Sequence, residues 1–270
     1  MLLYSVFMAK ANLEGARAKV ERAKQHIRDL DAQRIAFLGD NPYRTTPEFH
    51  PEYSATAYFL DEYAPIPEAI SLVAGDALHN LRAALDYVVY AFASKGLSPA
   101  ERAKLYFPIS KSAEDYNSES LGKTAGVPKY IKKRIDRLKP YKGGNDLLWG
   151  LHRLNIIDKH RLLVTVGVNV TEVEMILDTA FLNKAFPGMF TLPLDLPKQS
   201  YKFPAPKPIS PMEKGALLYG VKGNFEGDNH IDFTFDIAIG EVEVFEGQLL
   251  VETLKELADL VESIVFQFSG

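Results

Sequence analysis

Apolar residues recur at helical spacing in several long stretches of the chain. In the first stretch, Leu13, Val20 and Ile27 repeat with charged residues between them, and the other stretches show similar apolar faces. Pro128 suits the first turn of a further, shorter helix that is rich in lysine and arginine. The predicted helices cover residues 8–38, 68–94, 128–139, 146–160 and 247–268.

Other stretches alternate between apolar and polar residues or cluster aromatic and β-branched residues, which is typical of strands. The predicted strands cover residues 52–60, 162–177, 216–222 and 230–246. Residues 105–125 show no clear period and are expected to form a mixed loop. The proline-rich segment 180–212 is expected to be an extended excursion rather than a packed element.

Helices and strands are therefore grouped in blocks, which favours an α+β fold over a doubly wound sheet. We expect a helical N-terminal region with long helices over residues 1–161, followed by a mostly antiparallel β region with a closing helix over 162–270. The pattern leaves open whether these regions form two domains or one. It also leaves open whether the last helix packs on the sheet or returns to the other helices.

Composition narrows the possible classes of function. The formal net charge is −4 and cysteine is absent, so any polyanion must bind to a local patch, and disulfides and thiolate catalysis are excluded. The apolar start lacks a basic region and a cleavage site, and no apolar stretch reaches the roughly 18 residues of a membrane span. We expect a soluble cytoplasmic protein, with a homodimer as one option.

Polar side chains concentrate on two of the predicted helices. On the helix over 68–94, one stripe contains Asp76, His79, Arg82 and Asp86, and Asn80 lies beside it. Burying polar or charged side chains on a helix with a wide apolar face is costly unless they have hydrogen-bond or ion-pair partners.

The helix over 146–160 carries a second polar stripe. His152, Asn155 and Lys159 share one face, while Arg153 and His160 share another. The run Asp158–Arg161 ends the helix where a strand is expected to begin, a common place for functional side chains. We expect the two stripes to face each other.

Two interpretations of the stripes remain open. Their residues can form a buried network that fixes the register of the helices, or they can bind a ligand. The candidate ligand-binding residues are Arg82, Asp86, His152, Asn155, Asp158, Lys159 and Arg161. The histidines are not spaced as in standard metal sites, and no glycine-rich cofactor loop is present, so we expect no metal and no cofactor.

Three runs, GDALHNLRAALDY at 75–87, YFPI at 106–109 and DKHR at 158–161, resemble a widespread bacterial family of uncharacterised proteins that carries them in this order. The resemblance covers about residues 68–165 and implies no particular activity.

The segment from Arg153 to His160 also resembles HEPN-type ribonucleases, in which an arginine and a histidine on one helix cut RNA without metal. The resemblance implies catalytic roles for these two residues, with Leu154 departing from the usual polar residue. The chemistry suits them, because histidine serves as a general acid–base and arginine stabilises phosphorane-like charge. His79 and Asn80 are expected to complete this catalytic site.

The short helix over 128–139 is strongly basic on a chain that is net acidic. Tyr130 and Tyr141 flank it and offer rings for stacking on bases. We expect it to bind RNA, with a solvated helix face as the alternative. The nucleic-acid-binding candidates are Lys129, Lys132, Lys133, Arg134 and Arg137.

Overall fold

The computed structural model describes residues 12–160, 166–185, 197–205, 214–225, 230–240 and 244–269; the side chains of 160, 166–168, 185 and 199 are outside this description. Its helices are α1 (Glu14–Gly39), α2 (Glu68–Phe92), α3 (Pro99–Arg102), α4 (Ala113–Lys123), α5 (Lys129–Arg137), α6 (Asp146–His160), α7 (Thr179–Ala185) and α8 (Leu250–Gln267). Its strands are β1 (Tyr43–His50), β2 (Ala55–Tyr63), β3 (Val166–Leu177), β4 (Gln199–Pro204), β5 (Leu217–Lys222) and β6 (His230–Ile239).

Helix α2 lies at the centre of the helical part of the molecule. It packs against α1, α6 and α8, and apolar residues cover most of its circumference. Leu30 of α1, Leu81 of α2 and Leu254 of α8 are fully buried in the shared core. Burial of these apolar faces is the main force that holds the helices together.

The strands form two antiparallel sheets of three strands, in the orders β1-β2-β5 and β4-β3-β6. The sheets meet through aromatic side chains. The rings of Tyr58 and Phe233 are 5.5 Å apart, and those of Tyr43 and Phe235 are 5.2 Å apart. These contacts pack the first sheet against the second.

The α+β class is confirmed, and the structure shows where the last helix packs. Strand β5 pairs with β2, so one sheet combines strands from both sides of residue 161. Helix α8 returns to α1 and α2. No helix in the described part of the chain combines the length and apolar character needed to cross a membrane.

Some sequence predictions were wrong. Residues 105–125 contain helix α4, which begins after a Ser112 cap that accepts a hydrogen bond from the Asp115 amide. Because α4 buries only Tyr116, it leaves no apolar stripe to detect. Strand β1 was not predicted, since it contains Pro47 and lies at a sheet edge, where proline is tolerated.

The proline-rich segment is only partly described. Helix α7 and strand β4 lie within or at its border, so these parts are packed elements rather than an excursion. Residues 186–196 and 206–213 lie outside the described residues.

Candidate functional site

Helices α2 and α6 pack side by side and bring the two polar stripes together. Gly75, near the start of α2, contacts Asp158, near the end of α6. Further along α2, the charge on Arg82 acts on His152, which lies in the middle of α6. The helices are therefore antiparallel, and both polar stripes lie along the line of contact between α2 and α6, which we call the seam.

Gly75 forms a niche for the carboxylate of Asp158. A β-carbon at position 75 would lie 2.5 Å from Cγ of Asp158 and 2.7 Å from its Oδ2 atom, which is too close for a real contact. Only glycine lets the carboxylate approach the α2 backbone this closely, although glycine inside a helix costs roughly 1 kcal/mol relative to alanine. The backbone amides there lie beyond the first turn of α2, so they are already bonded within the helix.

The surroundings of Asp158 disfavour its charged form. Burial raises the pKa of the Asp158 carboxyl, the nearby Asp76 raises it further, and His79 lowers it. Asp158 is half-buried, whereas Asp76 and His79 are exposed. Near this end of the seam, the charges of one exposed carboxylate and one exposed imidazole therefore act on a half-buried carboxylate, and these are the residue types of acid–base catalysis.

Arg82 and Asp86 form a structural clamp further along α2. The guanidinium of Arg82 donates to a carboxylate oxygen of Asp86 at 2.5 Å and to the carbonyl of Phe107 at 2.8 Å. The same oxygen of Asp86 accepts the Phe107 amide at 2.7 Å. The clamp fixes the run 106–109 on α2, so these two candidate ligand-binding residues are already engaged with the protein.

His152 and Asn155 have polar atoms without partners in the interior. Burial, and then the charge on Arg82, lower the pKa of His152 to about 4, so its imidazole is neutral at physiological pH. Its Nδ1 atom and the Oδ1 atom of Asn155 are buried and have no hydrogen-bond partner among the described residues. Asn155 is only 3% exposed. Such atoms are costly to bury, and both can bind a polar ligand or solvent molecule.

Three of the four predicted catalytic residues, Arg153, Asn80 and His79, have described side chains. Arg153 lies over the ring of Trp149 at 5.8 Å, about 100° around α6 from His152. Asn80 points to α1, where its Oδ1 accepts from Lys19 at 3.1 Å, while its amide donates to the Asp76 carbonyl. Of these three described residues, His79 is the one whose charge acts on Asp158 at the seam.

The remaining candidates at the end of α6 are partly described. The side chain of His160 and all of Arg161 lie outside the described residues. Lys159 is exposed and shares the face of His152 and Asn155. In the described ranges, no three histidine or acidic side chains are arranged to hold a metal ion.

The five basic residues of α5 have different surroundings. Lys129, Lys132 and Lys133 line a cleft between α4 and α5. Arg134 instead donates to the carbonyl of Gln267 at the end of α8 and lies 5.1 Å from the centre of the Phe268 ring. Arg137 is exposed and lies outside the cleft lining.

Sequence reasoning missed Gly75 as a site residue, and it placed Asp76 on the polar stripe without assigning it a role. A glycine inside a strongly apolar helix was the available signal, because such a glycine is costly unless something must approach the backbone closely. Asp76 lies one residue further along, on the exposed side.

Comparison of the chain with protein-family models, with curated proteins and with solved structures finds no match.

Proposed function

We propose that this protein is a metal-independent enzyme that cleaves RNA by acid–base catalysis, with His79 and Asp158 as the proton-transfer pair. The observation that carries the proposal is the niche at Gly75. There a half-buried carboxylate with a raised pKa lies beside an exposed imidazole, at a position open to solvent. A carboxyl and an imidazole in different environments are suited to opposite roles in proton transfer.

The proposed reaction uses the ribose of the substrate as its nucleophile. The imidazole of His79 removes the proton of a 2′-hydroxyl, and the 2′-oxygen attacks the adjacent phosphorus. The bond from phosphorus to the 5′-oxygen then breaks, and protonated Asp158 donates its proton to that oxygen. The products are a 2′,3′-cyclic phosphate and a 5′-hydroxyl, and Lys159 supplies positive charge near the phosphorane.

Two further features favour RNA as the polymer. Helix α5 presents a row of basic residues on a chain with net charge −4, and phosphate contacts of this kind dominate nucleic-acid affinity. The resemblance to HEPN-type ribonucleases points to the same metal-independent chemistry. The proposal differs from it by moving the catalytic pair from Arg153 and His160 to His79 and Asp158.

The test measures cleavage of a fluorogenic RNA in EDTA by the wild type, H79Q, D158N and the matched control R153A. We expect H79Q and D158N each to lose activity by about 100-fold or more, the usual scale for one general acid or base. R153A should keep most of its activity, because Arg153 lies on another face of α6. Full activity of both seam variants, or loss in R153A alone with an intact fold, would exclude this catalytic pair.

The alternative is a non-enzymatic module that binds a small ligand with the same polar motifs. The specific observation in its favour is the pair of unpartnered buried atoms, Nδ1 of His152 and Oδ1 of Asn155. A thermal-shift screen of small polar compounds tests it. Stabilisation of the wild type that is lost in N155L, together with an absence of RNA cleavage, would favour the module.

A further inference from the structure

The cleft between α4 and α5 has the size and lining of a small-molecule site. Its volume is about 530 Å³, within the range of roughly 300–1,000 Å³ that is typical of ligand pockets. Tyr116 and Asp136 contribute to the lining, and the Tyr116 hydroxyl donates to the Asp136 carboxylate at 2.7 Å. This hydrogen bond joins α4 to α5 and holds the two walls together.

One wall of the cleft carries concentrated positive charge. Lys129, Lys132 and Lys133 all line it, and none of the three has a salt-bridge partner among the described residues. Other lysines nearby are neutralised, as Lys123 is by Glu119 at 2.6 Å. Three unpaired ammonium groups on a concave surface attract a compact anion such as a phosphate.

The opposite wall adds an apolar contact and polar groups. Leu121 lines the cleft and is 67% exposed, so its side chain is accessible for an apolar contact with a ligand. Asn117 and Ser120 lie on the same helix and offer hydrogen bonds. A ligand that matches both walls has a phosphate at one end and a flat, partly apolar group at the other.

We infer that the cleft between α4 and α5 binds one ribonucleotide unit, with its phosphate against the three lysines and its base against Leu121. The inference deepens the proposed function and rests on it for the choice of a ribonucleotide over other phosphorylated compounds. The unit is either a free nucleotide or one residue of an RNA strand, because both offer the same phosphate, ribose and base.

Titration calorimetry at low salt tests the inference on the full-length chain with AMP, ribose 5-phosphate and a short oligoadenylate. We expect saturable binding of AMP, with ribose 5-phosphate binding about tenfold more weakly because it lacks the base. The double charge reversal K132E/K133E should weaken AMP binding by about tenfold or more. The variant L121S should remove the preference for AMP over ribose 5-phosphate.

R137E is the matched control, since it reverses a charge on the same helix outside the cleft, and it should change AMP affinity by less than about threefold. Oligoadenylate that binds more tightly than AMP identifies an RNA strand as the occupant, and equal or weaker binding identifies a free nucleotide. An absence of saturable AMP binding, or equal affinity in K132E/K133E and wild type, would overturn the inference.

The two proposals fail separately. AMP binding should persist in D158N, because Asp158 is not part of the cleft lining. If the protein cleaves RNA in a way that depends on Asp158 but does not bind AMP, only the inference of a nucleotide cleft is refuted. If the protein binds AMP through the lysines but does not cleave RNA, only the proposed catalytic function is refuted.

Discussion

At the scale of single residues, the seam contains one buried charge that is compensated by hydrogen bonds and one half-buried carboxyl whose charge is disfavoured. Arg82 is 7% exposed, but hydrogen bonds to Asp86 and Phe107 compensate its charge. Asp158 is half-buried against the backbone of α2, and its charged form is disfavoured there. A residue that costs stability without a structural partner is the kind that is kept for chemistry.

Replacing Asp158 with asparagine should stabilise the protein at neutral pH. The folded-state pKa of Asp158 is raised above its ordinary value of 3.8, so this carboxyl destabilises the fold at pH values above the folded-state pKa and contributes nothing below 3.8. The melting temperature of D158N should exceed that of the wild type at pH 7.5, and the gain should vanish as the pH falls toward 3.8. One kcal/mol corresponds to about 2–4 °C at this chain length. A lower melting temperature of D158N at pH 7.5 would show that Asp158 has a structural role.

His152 should make the protein sensitive to acid. Its folded-state pKa is lowered from 6.5 to about 4, so the neutral imidazole contributes stability above pH 6.5 that is lost as the pH falls toward 4. Urea unfolding of the wild type should show this loss, with a slope of up to about 1.4 kcal/mol per pH unit from this group. The variant H152Q should lose less stability over the same interval. Equal slopes in both proteins would show that His152 is not the group responsible.

At the scale of elements, the close contact of α2 and α6 depends on glycine at position 75, which has no side chain. The variant G75A should destabilise the protein by about 1–3 kcal/mol, because the added methyl group overlaps the Asp158 carboxylate. This loss should outweigh the propensity gain of roughly 1 kcal/mol that alanine brings to a helix. Chemical denaturation measures the difference.

The double variant G75A/D158A provides the control for this overlap. Removing the carboxylate should recover most of the stability that G75A loses, so the two changes should be strongly non-additive. Additive effects would mean that the two side chains do not share the same space.

Breaking the clamp between α2 and the segment at 106–109 should lower the free energy of unfolding much more than breaking the cation–π contact on α6. R82A should lose about 3–5 kcal/mol of stability, because it leaves Asp86 and the Phe107 carbonyl without their partner. R153A removes only the contact over Trp149, which is worth about 0.5–1 kcal/mol at a surface. Urea denaturation of both variants measures the difference. Equal losses would contradict the assignment of a structural role to Arg82 and of a minor contact to Arg153.

Periodicity predicted some elements closely and missed others for identifiable reasons. Helix α6 matches the predicted 146–160 because a turn with a capping residue precedes it and its apolar face is buried. Helix α4 and strand β1 were missed because each buries few residues and so leaves little pattern. The candidate site was predicted only in outline. Helical spacing indicates the face on which Asn80 lies, but not that α1 rather than α6 packs there.

At the scale of the whole molecule, the sheet and the core both join distant parts of the chain. Strand β5 completes the sheet that β1 and β2 begin, and α8 supplies Leu254, Leu257 and Val261 to the core of the first helices. The region 1–161 therefore lacks a complete sheet and a covered core when it is alone.

A fragment that ends at residue 161 should not fold by itself. Circular dichroism should show partial helix content but no cooperative thermal transition, because α1 and α2 lose the apolar face that α8 covers. The full chain, measured in parallel, should unfold cooperatively. A cooperative transition in the fragment would establish residues 1–161 as an independent domain.

The pairing of β2 with β5 has a consequence for synthesis of the chain on the ribosome. Roughly 150 residues separate the two strands, and at about 5–20 residues per second the ribosome needs on the order of 10–30 s to make them. During that interval the hairpin of β1 and β2 has an open edge that displays unpaired amides and carbonyls. During this period a strand of another chain can pair with the open edge of β2. A chaperone that covers the edge, or rapid release of the chain from the ribosome, would limit such pairing.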